Sequence, residues 1–280
     1  PLTVLTYGGF GLLKASVYGK PIQFRNTLRH WPLSVEEMGI RLGYPKLPFD
    51  PTNLQYCQRD TEVTWRFIAA MFERYYELGI EEIKATLPST SLSFFTSKWC
   101  KTNWFRHGDL SVWKFLARSR YGGRCEIFQT GPIKGYIHEY DINSSYPAAM
   151  KTKRFPNLDT MRRGKTITDL EKAGVAFCTV QCPPMEFPLL PFKGEAGSKL
   201  LFPFGTFQGT WTYAEIKKAL ELGYTLLQVH DTIEYDLMPS PFAEYIDFLY
   251  SRRLEVKGKD ELMSYVLKIL MNALFGKWGE

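Results

Sequence analysis

The sequence predicts an α+β fold. Helical periodicity fills residues 53–78 and 259–277, strand-like runs fill 175–182 and 224–235, and the two kinds of element follow no regular βαβ rhythm. A proline-broken β-like stretch after Pro156 separates two helix-rich regions.

The elements read in order as follows. TVLTYGG and KASVYGK are short strands with a glycine-rich connection. Ser34 to Leu42 is a short helix in which Ser34 and Glu37 form a capping box and Gly43 ends the turn. Asn53 to Leu78 is a long amphipathic helix with Tyr56, Val63, Phe67, Ala70 and Met71 on its apolar side. LPSTSLSFF reads as a loop that enters a helical stretch, Phe94 to Cys100. GPIKGYIHEY reads as a strand that delivers Asp141 at its end, after which Ser144 or Ser145 caps a helix beginning Tyr146-Pro147. VAFCTVQC and KLLFPFGTF are β-like, and Thr212 with Glu215 is a second capping box, for a helix ending at Gly223. YTLLQVHDTIEY is a strand or hairpin, and two helices, Phe242 to Val256 and Lys259 to Lys277, meet around Gly258.

Composition narrows the function class only moderately. At 280 residues the chain can bury a sizeable core and hold two or three sub-domains. A net charge of +6 suits a polyanionic partner, and many ordinary enzymes carry the same. The five cysteines form no disulfide or zinc framework, so reduced thiols of an intracellular protein are the expectation. No apolar run approaches the roughly 18 residues that span a bilayer, so no membrane partner is expected. The chain opens on Pro1 and stops at KWGE directly after a strong helix, and so reads as a fragment of a longer protein.

Three constellations carry chemistry. In DINSSYP, Asp141 precedes a helix start whose free N–H groups can receive a phosphate oxygen while the acid holds Mg²⁺; a turn acid and an N-cap serine would look the same. In YVLKILMNALFGKWG, Lys268, Asn272 and Phe275 fall on one helical stripe, followed by Gly276. A lysine for a triphosphate, an aromatic for a base and a glycine making room fit that stripe better than a solvated face does. Arg252, Arg253 and Lys257 upstream are further phosphate contacts or a solvated run. In QYCQRDTEVT, Tyr56 and Asp60 lie one turn apart, a phenol beside a metal-binding acid, although such spacing is common.

Together these motifs resemble family B DNA polymerases. DINSSYP followed by KILMNALFG is similar to motif A (Dx₂SLYP) and motif B (Kx₃NSxYG) in the right order, and YCQRD resembles the third motif of the 3′–5′ exonuclease. Thr27-Leu28-Arg29-His30-Trp31 fits (S/T)Lx₂h, Lys46-Leu47-Pro48-Phe49 fits Kx₂h, and Arg120-Tyr121-Gly122-Gly123 fits YxGG, elements of the protein-primed branch. Ser145 stands at a usual leucine, Ala273 and Phe275 at serine and tyrosine, and Arg120 at the tyrosine of YxGG.

The resemblance implies roles. Asp141 would ligate two catalytic Mg²⁺ ions, with Mn²⁺ an alternative, and the Ile142 carbonyl would touch the nucleotide-bound ion. Ser144 and Ser145 would line the nucleotide site, and Tyr146 would stack under the deoxyribose and exclude a 2′-hydroxyl. Lys268, Arg253 and Lys257 would grip the triphosphate, Asn272 would line the pocket, and Phe275 with Gly276 would face the nascent pair. Asp60, as metal ligand, with Tyr56 and Lys46 would serve the hydrolytic site; Thr27, Leu28, Tyr121, Gly122, Gly123 and Arg124 would contact DNA. The second acids of both metal sites are missing, and VHDTIEYD, which precedes motif B, supplies only strand and loop acids, Asp231 and Asp236.

By that resemblance, residues 1–90 are the C-terminal part of a partial RNase H-like exonuclease domain and 91–155 the start of a palm with motif A. Residues 156–240 are an insertion resembling the terminal-protein region, and 241–280 are helical fingers with motif B. The expected partners are primer–template DNA, dNTPs and a terminal protein primer; the expected source is a phage, virus or linear plasmid. The isolated chain is expected to be inactive. The alternative is a non-catalytic DNA-binding module on the same scaffold.

Overall fold

The computed structural model describes residues 3–7, 10–17, 20–24, 26–50, 52–100, 109–194 and 199–277. In chain order these form β1 (Thr3–Tyr7), β2 (Phe10–Val17), β3 (Lys20–Phe24), a 3₁₀ turn (Thr27–Arg29), α1 (Val35–Arg41), α2 (Leu54–Glu77), α3 (Leu87–Lys98), α4 (Leu110–Ala117) and α5 (Ser145–Thr152). There follow β4 (Phe155–Pro156), β5 (Arg162–Gly164), β6 (Ala173–Cys182), β7 (Phe192–Lys193), β8 (Leu200–Leu201), β9 (Gly205–Thr212), α6 (Tyr213–Glu221), β10 (Thr225–Tyr235), β11 (Leu237–Met238), α7 (Ala243–Val256) and α8 (Glu261–Lys277). The sequence expectation of α+β holds. The strand expected in TVLTYGG is β1, whereas KASVYGK, expected as one strand, supplies the end of β2 and the first residue of β3 in the antiparallel sheet β1-β2-β3; residues 8–9 and 18–19 of those runs, and 278–280 of the KWGE end, lie outside the described residues.

Contacts group the chain into two units. One holds residues 1–101, 144–151 and 242–280, the other 102–143 and 152–241.

In the first unit α8 is the central helix, packed by α3, α7 and α2. Leu267, Leu270, Met271 and Leu274 of α8 are fully buried with Val63, Phe67 and Met71 of α2. An aromatic cluster of Phe94, Phe95, Trp99, Phe242 and Tyr245 joins α3 to α7, with ring centroids 5.1–6.2 Å apart. The caps are those the sequence spells. Ser34 N donates to Glu37 at 2.8 Å, Glu37 N donates back to Ser34 Oγ at 3.2 Å, and Asn53 caps α2.

LPSTSLSFF was expected as a loop, and it is helix α3. Thr86 caps it, Pro88 sits in the first turn where no N–H is needed, and the serines and threonines that suggest a loop find partners. Buried Thr90 accepts from Lys84 N at 3.0 Å, and buried Ser91 donates to the Leu270 carbonyl at 2.7 Å. Tertiary hydrogen bonds override local propensity here.

The second unit is built on the antiparallel sheet β5-β10-β6-β9. Ala176, Cys178, Val180 and Cys182 face Trp211 and the α6 residues Tyr213, Ile216 and Ala219. Val175, Ile233 and Tyr235 face α4 through Val112 and Phe115. Close packing requires glycine twice: a Cβ on Gly209 would lie 2.3 Å from the Trp211 ring, and one on Gly174 2.5 Å from that of Tyr213. YTLLQVHDTIEY is one strand, bulged between Leu226 and Gln228 and between Val229 and Asp231, which keeps both Leu226 and Val229 on the core side. Buried Glu234 meets Arg162 and Lys172 at 3.3 Å each and Thr168 at 2.8 Å. Burial alone would raise its pKa; the bonds from Thr168, Lys172 and Arg162 outweigh that and hold it below the usual carboxylate value.

GPIKGYIHEY was expected as a strand, and residues 131–140 form none. Tyr136, Ile137 and Tyr140 are 97%, 76% and 89% exposed. A strand needs a neighbouring edge, and no described strand pairs with this segment. The following helix begins at Ser145, one residue earlier than expected, behind Ser144 in the left-handed region at φ 53°.

Candidate nucleotide and nucleic-acid sites

In the first unit, α8 turns its apolar side inward and leaves Lys268, Asn272, Phe275 and Gly276 exposed, the stripe the spacing implies. Helix α5 brings Tyr146 onto it. The Tyr146 and Phe275 rings stack with centroids 4.3 Å apart and planes at 29°, both about half exposed. A Cβ on Gly276 would meet nothing within 4 Å, so the backbone beside the stack is open. Ser144 is half-buried and Ser145 exposed at the start of α5. On α7, Arg253 is half-buried with its Nε unpartnered among the described residues, and Lys257 is exposed at the C-cap.

The register of α8 is fixed from behind. Ser91 of α3 and Tyr245 of α7 both donate to the Leu270 carbonyl, at 2.7 and 3.1 Å, and their hydroxyls lie 2.8 Å apart. Leu270 sits between Lys268 and Asn272, so these two buried bonds set which way the exposed stripe faces.

The hydrolytic candidates also converge within this unit. Tyr56 and Asp60 project from consecutive turns of α2, and Lys46 reaches them from the segment after α1. Lys46 Nζ donates to Tyr56 OH at 2.9 Å and pairs with Asp60 Oδ2 at 3.1 Å. The bond to Tyr56 and then that to Asp60 raise the lysine pKa above its ordinary value. Asp60 Oδ1 is buried without a partner among the described residues, an orphaned anionic oxygen of the kind that accepts a hard cation or a water. Among the described residues no three His, Cys, Asp or Glu side chains gather into a metal-binding group. Asp60 therefore fits as one ligand rather than as a cage. Thr27 and Leu28 lie on the 3₁₀ turn, with Leu28 56% exposed.

The second unit holds the remaining candidates. Asp141 and Ile142 lie exposed in the irregular stretch before Ser144. Tyr121 packs against the β-sheet core, and a Cβ on Gly122 or Gly123 would meet nothing within 4 Å. Arg124 is exposed and spends part of its guanidinium internally: it donates to the Pro188 carbonyl at 2.7 Å, pairs with Glu126 and lies 4.1 Å from the Phe202 ring. Asp231 and Asp236 pair with Arg163 and Arg162 at 2.7 and 2.5 Å, consistent with strand and loop acids.

Residues 31–280 match the family of DNA polymerase type B, organellar and viral. The chain belongs to that family. A probable DNA polymerase of Neurospora intermedia is 26% identical over 243 residues, covering 81% of this chain and 24% of that protein. The type B chain thus spans about a quarter of that relative. The Phi29 DNA polymerase structure superposes with a TM-score of 0.71 over 96% of this chain and 52% of its own, at 15% identity. Phi29 polymerase in a complex with primer–template DNA and incoming nucleotide gives 0.68 over 95% and 51%, also at 15% identity. At that identity the likeness establishes the fold. No described helix is long and apolar enough to cross a membrane.

Sequence reasoning passed over one cluster of this type B chain, Tyr44 with Arg59 and Arg66, although the seven-residue spacing of the arginines on a helix was legible.

Proposed function

We propose that this chain contributes to two phosphoryl-transfer sites of a proofreading, protein-primed DNA polymerase. The observation that supports this reading is the Tyr146–Phe275 stack, which brings α5 against α8 on the stripe that exposes Lys268 and Asn272. At the synthetic site Asp141 and the Ile142 carbonyl would hold Mg²⁺ or Mn²⁺. When bound, the ion neutralises charge on the phosphate oxygens and on the attacking and leaving oxygens. Lys268 donates to the triphosphate, with Arg253 and Lys257 adding positive charge. The Tyr146 ring occupies the space a 2′-hydroxyl needs, Asn272 lines the pocket, and Phe275 offers its face to the base. Ser144 and Ser145 present N–H groups at the helix start. At the hydrolytic site Asp60 would hold a metal through its Oδ1 oxygen, Tyr56 orients the attacking water, and Lys46 offsets the charge that develops.

Thr27, Leu28, Tyr121, Gly122, Gly123 and Arg124 are the proposed DNA contacts, with dNTPs, primer–template DNA and a terminal protein as partners. A phage, virus or linear plasmid is the proposed source. The 280 residues alone supply one acid to each site, so we expect them to bind nucleotide without turnover. Anisotropy of a fluorescent dATP analogue with Mg²⁺ tests the site. Lys268→Ala should weaken binding roughly 10- to 100-fold, the range for a lost charge-assisted hydrogen bond; unchanged binding would sink the nucleotide-site assignment.

A further inference from the structure

Arg59 and Arg66 lie seven residues apart on α2, and both guanidinium carbons approach one ring, that of Tyr44, at 4.1 and 4.2 Å from its centroid. Both guanidiniums therefore pack directly against the Tyr44 ring. Its orientation is fixed at the hydroxyl, which donates to Glu62 at 2.6 Å. Two like charges are thereby held beside the Glu62 carboxylate that accepts from the hydroxyl, and one anion against two guanidiniums leaves a net positive charge there.

The donors are largely free. A guanidinium carries several N–H groups in a planar fork. Arg59 spends one on the Pro45 carbonyl at 3.1 Å, and Arg66 makes no hydrogen bond or ion pair to any described residue. Arg66 is exposed and Arg59 half-buried. Arg59 adjoins Asp60, and Tyr44 precedes Lys46 by two residues, so the arginine pair is built on the same two segments as the Lys46–Tyr56–Asp60 cluster. An open ridge with two spaced cations suits successive phosphates of a chain better than one small anion. Phe49, 78% exposed and edge-on to Tyr56 at 5.5 Å, offers an aromatic face to an unpaired base.

We propose that Arg59 and Arg66, packed on Tyr44, form a phosphate-binding subsite for single-stranded DNA. The proposal deepens the hydrolytic reading of Lys46, Tyr56 and Asp60, and rests on it only for the use to which the strand is put.

The test is fluorescence anisotropy of a labelled oligothymidylate with the whole 280-residue chain, in EDTA, across a NaCl series. Arg66→Ala should weaken binding several-fold at low salt and reduce the slope of log affinity against log salt by about 0.7, the share of one phosphate contact on a single strand. Arg66→Lys should keep the slope while losing part of the affinity, because charge survives and the planar stack does not. Lys165→Ala, an exposed cation on the other unit, should change neither quantity. Wild-type affinity and slope in Arg66→Ala, an unchanged slope despite weaker binding, or an equal effect of Lys165→Ala would each overturn the subsite. A thermal unfolding midpoint of Arg66→Ala matching that of wild type excludes misfolding as the cause. Hydrolysis plays no part without metal, so a longer protein that fails to degrade primers would remove the hydrolytic reading and leave this one standing.

Discussion

The rings of Tyr146 and Phe275 stack 4.3 Å apart, one from the motif after Asp141 and the other from the last turns of α8. Both are about half exposed, so the pair forms a wall rather than a core contact. In a polymerase carrying this chain, Tyr146→Val should admit ribonucleotides with little loss of deoxynucleotide incorporation. Competing the two nucleotides in primer extension reads the ratio directly. Unchanged sugar discrimination removes the assignment of Tyr146 to the sugar.

The bonds from Ser91 and Tyr245 to the Leu270 carbonyl are buried, and so hold α8 against rotation. Ser91→Ala and Tyr245→Phe should each cost about 1–3 kcal/mol in urea unfolding, because each leaves a buried acceptor short of a donor. Their hydroxyls touch, so the double variant should depart from additivity by at least about 0.5 kcal/mol. Strict additivity would show that they do not act as one network.

Lys46 has its pKa raised, first by Tyr56 and then by Asp60. The sign follows from linkage: the stabilisation is fully present below the ordinary value of 10.5 and is lost as pH rises through the higher folded value. Urea midpoints measured between about pH 9 and 12 should fall more steeply in wild type than in Lys46→Met. Parallel curves would mean that the cluster contributes nothing to the folded state.

Burial pushes the Cys178 thiol up to about 12, whereas Cys57 and Cys125 are exposed. A thiol reagent at about pH 8 should label Cys57 and Cys125 at once, and Cys178 only at the rate of unfolding. The same burial becomes costly above the ordinary thiol value of 9.0, where the unfolded chain ionises first. Mass-spectrometric mapping of early label on Cys178 would contradict the packing of β6.

The caps, the bulk of the helices and the exposed stripe of α8 were legible because each is written locally. Ser34 with Glu37 and Thr212 with Glu215 are capping boxes in sequence and in space. Helix α3 was not legible, because its serines and threonines are satisfied by α7, α8 and Lys84, which no local pattern reveals. Residues 131–140 failed in the opposite sense: alternation is there, but the edge a strand must pair with is not among the described strands. The order of Tyr56, Asp60 and Lys46 in sequence gave no hint that Asp60 keeps one oxygen paired and the other without a partner among the described residues. The arginine pair on Tyr44 was hidden for a similar reason, since Tyr44 lies fifteen residues before Arg59 and joins it only when α1 packs on α2.

The most direct measurement is primer extension and primer degradation by a longer polymerase that contains this chain, compared with its Asp141→Ala and Asp60→Ala variants. The account predicts that Asp141→Ala abolishes extension and leaves degradation, and that Asp60→Ala does the reverse. Extension that survives in Asp141→Ala would contradict it.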